Sequence, residues 1–437
     1  MRKFRTSLAI AAVTALGLTA CGSGGSGDDG GNGGSGGNGK SGEGETLSVW
    51  IMEGTNPNAD AFFKKAGQKF KEKTGAKLDV QFVQWGEAHD RFVTSIAGGT
   101  TPDVAETGTT WTAEFAQAGA LAPLDEQVKA AGIKEDLVDG LVEAGTVDGS
   151  LYGMPWYAGV RSVIYRTDVF KELNLDEPQS WDELLKTAQT IKQEKPDLIP
   201  WAVPGGSQYA AYPFIWGTGG KLATQQDGKW VSGLTSPEAR QGIEFYTDLA
   251  LEHGLSSAAA TTWDATDVLD NFAKGKLPMA ILGSWAAPTL IEKNPDLEGK
   301  LGAFPIPGPD GGYSPSFLGG SHLSVFNSAD NPELAWEFVK MLTTTDLAAQ
   351  WAEETNYFPG TESLLEKSIN SDDPMVKPFA TQMVEAGTTV PVTPKFGAVQ
   401  GKKTIPAMLQ SILAGDKTVK QATSDAAAEI EEILNSK

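Results

Sequence analysis

Residues 46–52 alternate Leu47, Val49 and Ile51 with Ser48 and Trp50, the period-two pattern that predicts a β-strand. The period then changes. Phe62, Phe63, Ala66 and Phe70 recur at helical spacing with Lys64, Lys65 and Lys69 on the other side, and Gly75 stands where a C-terminal cap is expected. Residues 77–83 predict a second strand, and 87–97 predict a helix stopped by Gly98 and Gly99. Residues 103–105 predict a short third strand running into a polar loop at 106–110. A β-α-β-α-β opening predicts an α/β fold with a mainly parallel sheet, whose ligands sit outside the carboxyl ends of the strands.

Helix starts punctuate the middle of the chain. Ser180, Trp181, Asp182 and Glu183 read as a capping box ahead of Leu184, Leu185, Ala188 and Ile191. Ser236 and Pro237 precede Ile243, Tyr246 and Leu249, with Gly254 as the stop, and Asn331 and Pro332 precede Leu334, Ala335, Phe338 and Leu342. Strands are expected at 160–166, 278–282 and 322–326. A last helix at 419–434 buries Val419, Ala422, Ala426, Ile430 and Ile433 and exposes Glu429, Glu431 and Glu432 as a solvated face. No tandem repeat or polar linker interrupts 46–437. Two lobes suit that length, with the chain crossing between them more than once.

The N-terminus is of a different kind. Arg2, Lys3 and Arg5 precede an apolar run at 8–18 that is shorter than the ~20 residues of a spanning helix, so 1–20 reads as a cleaved signal peptide. Leu18, Thr19, Ala20 and Cys21 resemble a bacterial lipobox, which implies lipidation of Cys21, the single cysteine of the chain. Residues 22–44 hold 13 glycines and nothing that can pack. Residues 21–45 therefore read as a lipidated cysteine and a flexible tether, with an end-to-end distance of roughly 25–30 Å. The expected location is the extracellular face of the cell membrane, with the membrane engaged through the lipid anchor. The tether also spells a P-loop pattern at 34–41, but a phosphate cradle needs a buried strand before it and a helix after it, and neither is present.

Composition removes several classes. One cysteine cannot close an intrachain disulfide, and with only His89, His253 and His322 it cannot build a zinc site, so no metal or cofactor is expected. A formal charge of -21 leaves no basic face for a phosphate backbone, and nucleic acid is excluded as a partner. The acidic balance suits an exported protein and a neutral or cationic ligand.

Several segments carry a resemblance in a fixed order. They are 47–52 with its polar turn, Gly98 to Val104, Leu151 to Trp156 leading to Val163 to Arg166, and Phe272 to Lys276 leading through Met279 to Gly283 to Ala286. Phe317 to Gly320 and Ala335 to Phe338 follow. Together they resemble the bacterial extracellular solute-binding proteins of carbohydrate ABC importers, family 1 of the maltodextrin-binding type. The resemblance implies an α/β, two-lobed, periplasmic-binding-protein-like (type II) fold with hinge strands and a central ligand cleft. It places one lobe at 46–156 plus about 270–316 and the other at 157–269 plus about 317–437. Crossings are expected near 157–160, near 317–321 and after Phe304.

A neutral-sugar site needs aromatic planes for pyranose C–H faces and polar side chains for the hydroxyls. Trp285 matches a family position that stacks on sugar. Thr110 and Trp111 follow the third strand, where the family places polar contacts, and Tyr209 matches an aromatic contact. Glu53, ending the first strand beside Gly54 and Thr55, is the preferred hydroxyl acceptor. Tyr157 and Arg161 fall on the expected hinge, Arg161 being either a sugar donor or the partner of a buried carboxylate. Trp85, Trp263 and Tyr357 complete the candidate set, from loops that vary in the family. Trp50, Trp181, Trp336 and Trp351 are assigned to the core. Where the hinge of familiar members carries a sugar-binding carboxylate, this chain has Gly159.

The expected function is capture of an oligosaccharide by a non-catalytic, monomeric lipoprotein, with delivery to ABC transporter permease subunits and, through them, to the ATPase. The cargo expected is chitobiose, N-acetylglucosamine or a glucose-type oligomer. The alternatives are a secreted glycoside hydrolase, for which Asp264 and Asp267 form the nearest local carboxylate pair, and a solute-binding protein for a non-sugar ligand.

Overall fold

The computed structural model describes residues 42–436 apart from residues 54 and 57. The signal peptide, Cys21, most of the tether and Gly54 lie outside the described residues. The first run comprises β1 (Thr46–Glu53), α1 (Ala59–Thr74), β2 (Lys77–Gln84), α2 (Trp85–Gly98), β3 (Val104–Gly108), α3 (Thr112–Gln117) and β4 (Met154–Gly159). After Val160 come β5 (Arg161–Arg166), α4 (Trp181–Glu194), α5 (Gln208–Gly217), α6 (Pro237–Leu251), α7 (Ala265–Ala273), β6 (Met279–Gly283), α8 (Ala286–Lys293) and β7 (Leu301–Phe304). Then follow β8 (Gly319–Val325), α9 (Pro332–Thr344), α10 (Asp346–Thr355), β9 (Phe358–Pro359), α11 (Lys377–Ala386), α12 (Phe396–Gly401) and α13 (Val419–Leu434).

Two sheets divide these elements. The larger has the order β9-β4-β8-β3-β1-β2, and the smaller has the order β6-β5-β7. β1 is parallel to β2 and β3, as the opening pattern predicts, because each helix carries the chain back to the same end. Elsewhere the expectation of a mainly parallel sheet fails. β8 re-enters from the other lobe and runs antiparallel to β3 and β4, and β6 and β7 are both antiparallel to β5.

The strand partners also correct the lobe boundaries. β6 and β7, expected in the first lobe, pair with β5 in the second. β8, expected in the second lobe, pairs with β3 in the first, and α9 and α10 pack Phe338 and Trp351 against Phe62, Phe63 and Phe70 of α1. The first lobe is therefore built from the chain up to Gly159 and from β8 to β9. The second is built from β5 to Phe317 and from α11 onward. Crossings at Val160 and Leu318 agree with expectation. The third does not follow Phe304, since Ser314 donates to the Ile306 carbonyl at 2.8 Å and the Trp181 indole donates to the Pro307 carbonyl at 2.9 Å within the second lobe. It follows β9, after which Phe379 and Ala380 of α11 pack with Ile164 and Ala303.

Local signals hold well. Phe62, Phe63, Ala66 and Phe70 are buried, and Gly75 caps α1 at φ 85°. Ser180 accepts the Glu183 N–H at 3.3 Å, but the Glu183 carboxylate takes the N–H of Gln179, so half of the expected capping box forms. On α13, Glu431 accepts the Ser232 N–H at 2.9 Å and Glu429 faces Lys402 at 3.7 Å, so the acidic face is partly engaged rather than simply solvated. Residues 106–108, expected as loop, extend β3 and are buried, because β8 pairs along that stretch from Val325↔Val104 to Ser321↔Gly108.

Candidate functional site

β3 points its carboxyl end at the junction of the lobes. The Thr109 N–H donates to the Gly320 carbonyl at 3.1 Å and the Trp111 N–H to the Gly108 carbonyl at 2.8 Å, which sets Thr110 and Trp111 just beyond the strand. They border a cleft of about 1030 Å³. Its first-lobe wall carries Trp85, His89, Asp90, Trp111, Glu114 and Gln117, and its second-lobe wall carries Tyr209, Phe317, Lys395 and Gln400. Gly319 and Gly320, beside the second crossing, form the floor.

Aromatic faces are spread along both walls. The Trp85 and Trp111 rings lie 5.5 Å apart, and the Trp85 indole N–H donates to the Thr55 hydroxyl at 3.1 Å. Opposite, Tyr209 stacks on Phe317 with centroids 5.1 Å apart, and Gln400 donates to its hydroxyl at 3.3 Å. Such planes cover pyranose C–H faces, while Thr110, Gln117, Gln400 and the carboxylates offer partners for hydroxyls.

Behind Tyr209 lies a second aromatic group. The Arg161 guanidinium sits 4.2 Å from the Tyr209 centroid and 5.2 Å from that of Trp285, and Trp285 stacks on Tyr357 at 4.8 Å. Arg161 has no buried carboxylate partner among the described residues, which removes one of its two expected roles. Burial lowers its pKa from the usual arginine range.

Three expected contacts are placed elsewhere. Tyr157 is 2% exposed, its ring behind Tyr357 and its hydroxyl donated to Glu106, so it supports the site from below. Glu53 ends β1 exposed to solvent and is not among the residues that line the cleft. Trp263 is half-buried against the core that joins the lobes, and its carbonyl accepts the Gly206 N–H at 2.9 Å. Trp50, Trp181, Trp336 and Trp351 are buried, as assigned.

Two ionisable features of the cleft lie outside the candidate residues legible in the sequence. His89 faces Glu114 at 2.9 Å on the cleft wall, and that hydrogen bond raises the histidine pKa above 6.5. Glu106 is buried at the base of the cleft. Besides Tyr157 it accepts from the Ser321 hydroxyl at 2.7 Å and from the Met52 N–H at 2.8 Å. Burial outweighs these donors and lifts its carboxyl to about 7. No local pattern marks either feature, since partners 25 and 215 residues apart meet only through the sheet and helix packing.

Asp264 and Asp267 form a capping box at the start of α7, which accounts for both carboxylates without catalysis. Among the described residues no helix is long and apolar enough to cross a membrane.

Over residues 54–349 the sequence matches the family described as bacterial extracellular solute-binding protein. The chain is 30% identical to the diacetylchitobiose binding protein of Streptomyces coelicolor over 396 residues, covering 90% of this chain and 89% of that protein. It is 25% identical to the maltotriose-binding protein of Pyrococcus abyssi, covering 81% of this chain and 75% of that one. Among solved structures, an ABC transporter solute-binding protein of Thermotoga lettingae bound with alpha-D-tagatose superposes with a TM-score of 0.77 at 28% identity, over 90% of this chain and all of that one. With its two α/β lobes, three crossings and interlobe cleft, this chain belongs to the bacterial extracellular solute-binding protein family.

Proposed function

We propose that this protein captures an oligosaccharide in the interlobe cleft and delivers it to the permease of a carbohydrate ABC importer. The observation that carries the reading is the pairing of aromatic faces across the cleft, Trp85 and Trp111 on one wall and Tyr209 on Phe317 on the other. Relatives named for diacetylchitobiose and maltotriose support N-acetylglucosamine-type or glucose-type units within the cargo. Sugar that touches both walls stabilises the closed arrangement, and the permease recognises that shape. Cys21, lipidated after removal of residues 1–20, anchors the body to the outer face of the membrane by a glycine-rich tether.

Thermal unfolding of the purified protein against mono- and oligosaccharides, with amino acids and peptides as controls, tests the reading. Ligand at about 100 times its Kd adds roughly 2.7 kcal/mol. Stabilisation by a sugar that is recovered intact is the expected result. Stabilisation by no sugar, or recovery of cleaved sugar, would refute it.

A further inference from the structure

Beyond Tyr209 a smaller pocket of about 280 Å³ opens within the second lobe, lined by Arg161, Ser207, Thr266, Trp285, Thr289 and Lys293 among apolar groups. Its charge is unlike the rest of the molecule. The chain carries 56 acidic residues against 35 basic ones, yet among the described residues no Asp or Glu lines this pocket. By contrast, the first-lobe wall of the main cleft carries Asp90 and Glu114.

Two polar groups in the pocket are left open. The Arg161 guanidinium is held between the Tyr209 and Trp285 rings, and no carboxylate pairs with it among the described residues. Ring faces hold a guanidinium in orientation but leave its N–H edge free to donate. Ser207 is 7% exposed and lines the pocket, and its hydroxyl makes no side-chain hydrogen bond to α5 among the described residues. It stands at the N-terminus of α5 as an N-cap whose side chain makes no cap bond. Lys293, the other cation here, is paired with Asp270 at 3.2 Å, which leaves Arg161 as the cation available to a ligand.

A half-buried guanidinium, an open hydroxyl and a helix N-terminus together favour a planar anion, since a carboxylate accepts two parallel N–H bonds from arginine. We propose that this pocket receives the carboxylate of a uronic acid unit at one end of the bound oligosaccharide. The inference rests on the sugar-capture reading and names the substrate class within it. The neutral units of the ligand lie against the aromatic walls, and the acidic end is directed inward by Arg161 and away from Asp90 and Glu114.

The test is calorimetric titration of the purified full chain with disaccharides ending in glucuronate or galacturonate and with the corresponding neutral glucose and galactose disaccharides. The acidic members should bind at least about tenfold more tightly, as a charge-assisted bidentate contact requires. In Arg161→Gln that ratio should collapse to about one, and in Arg161→Lys, which keeps the charge but loses the planar fork, it should fall to an intermediate value. If Arg161→Gln does not fold, the wild-type ratio and Arg161→Lys still decide the matter. Equal binding of acidic and neutral disaccharides by the wild type would overturn the inference and leave the sugar reading standing. Binding of no sugar would overturn the reading on which it rests.

Discussion

The indole of Trp285 lies face to face with the phenol ring of Tyr357, centroids 4.8 Å apart and planes within 9°. The two residues belong to different lobes, Trp285 following β6 and Tyr357 preceding β9, so the stack bridges the lobes at the crossing. Gly159 lies directly beneath. A Cβ there would stand 2.6 Å from Tyr357 and 2.7 Å from Trp285, closer than real Cβ atoms approach. This chain has no side chain at the hinge position because two aromatic rings occupy the space.

Gly159→Ala is therefore expected to push the rings apart and cost ~1–3 kcal/mol, the usual range for overpacking. Urea unfolding followed by tryptophan fluorescence checks this. An unchanged midpoint would mean that the stack yields without loss.

Trp111→Ala removes a cleft-facing ring that also packs on the edge of a first-lobe core cluster, so its folding is checked by its unfolding midpoint before affinity is compared. Sugar affinity should fall at least about thirtyfold, near the 2 kcal/mol that marks an energetic hot spot. Trp263→Ala should leave affinity close to wild type, because that ring packs against the core joining the lobes and does not line the cleft. Calorimetric titration with the sugar found by thermal screening distinguishes the two. A larger loss in Trp263→Ala than in Trp111→Ala would invert the assignment.

Two buried groups near the base of the cleft act oppositely on stability as pH changes. Glu106 has its carboxyl raised by burial from 4.5 to about 7. Its contribution is thus full below the unfolded value and is lost as pH rises from about 4.5 through 7, on the order of 3 kcal/mol. His322 is lowered by burial from 6.5 to about 4. Its Nε2 donates to the Leu141 carbonyl at 2.9 Å, and its Nδ1 accepts from the Thr112 hydroxyl at 2.8 Å, which requires a neutral ring. Its contribution is full above 6.5 and is lost as pH falls through 4. The two trends offset each other between about 4.5 and 6.5. Relative to wild type, Glu106→Gln should gain stability as pH rises across that window, and His322→Gln should lose it. Denaturant midpoints at half-unit pH steps give the slopes, and parallel curves for all three proteins would contradict the assignment.

Asp264→Ala should lower stability by ~1 kcal/mol through loss of the α7 cap, with no effect on sugar affinity. Cleavage of a bound sugar by wild type but not by this variant would instead make Asp264 a catalytic acid.

Sequence patterning reached far where forces are local. The burial of Phe62, Phe63, Ala66 and Phe70, the cap at Gly75, and the starts at Ser236 and Asn331 all follow from spacing and from side chains that satisfy nearby N–H groups. Trp111, Tyr209 and Trp285 were legible as site candidates because of the motifs around them, and Tyr357 came from a loop that varies in the family; Trp111 and Tyr209 line the cleft, Trp285 lines the pocket behind it, and Tyr357 stacks on Trp285. Glu53, Tyr157 and Trp263 were candidates on the same chain. The direction each side chain takes depends on partners far away, such as Glu106 for Tyr157.

Residue order alone determined the alternation of helix and strand, the aromatic supply and the family, since periodicity, caps and motif order are written in neighbouring residues. Only the tertiary structure decided which lobe each returning segment joins and which polar groups face one another. β8 pairs with β3 across more than two hundred residues of sequence, and β6 and β7 with β5 across more than a hundred. Strand partners are chosen by backbone hydrogen bonds and shared apolar faces that exist only after collapse. The same packing left Arg161 without a counter-ion among the described residues and Gly159 without room for a side chain.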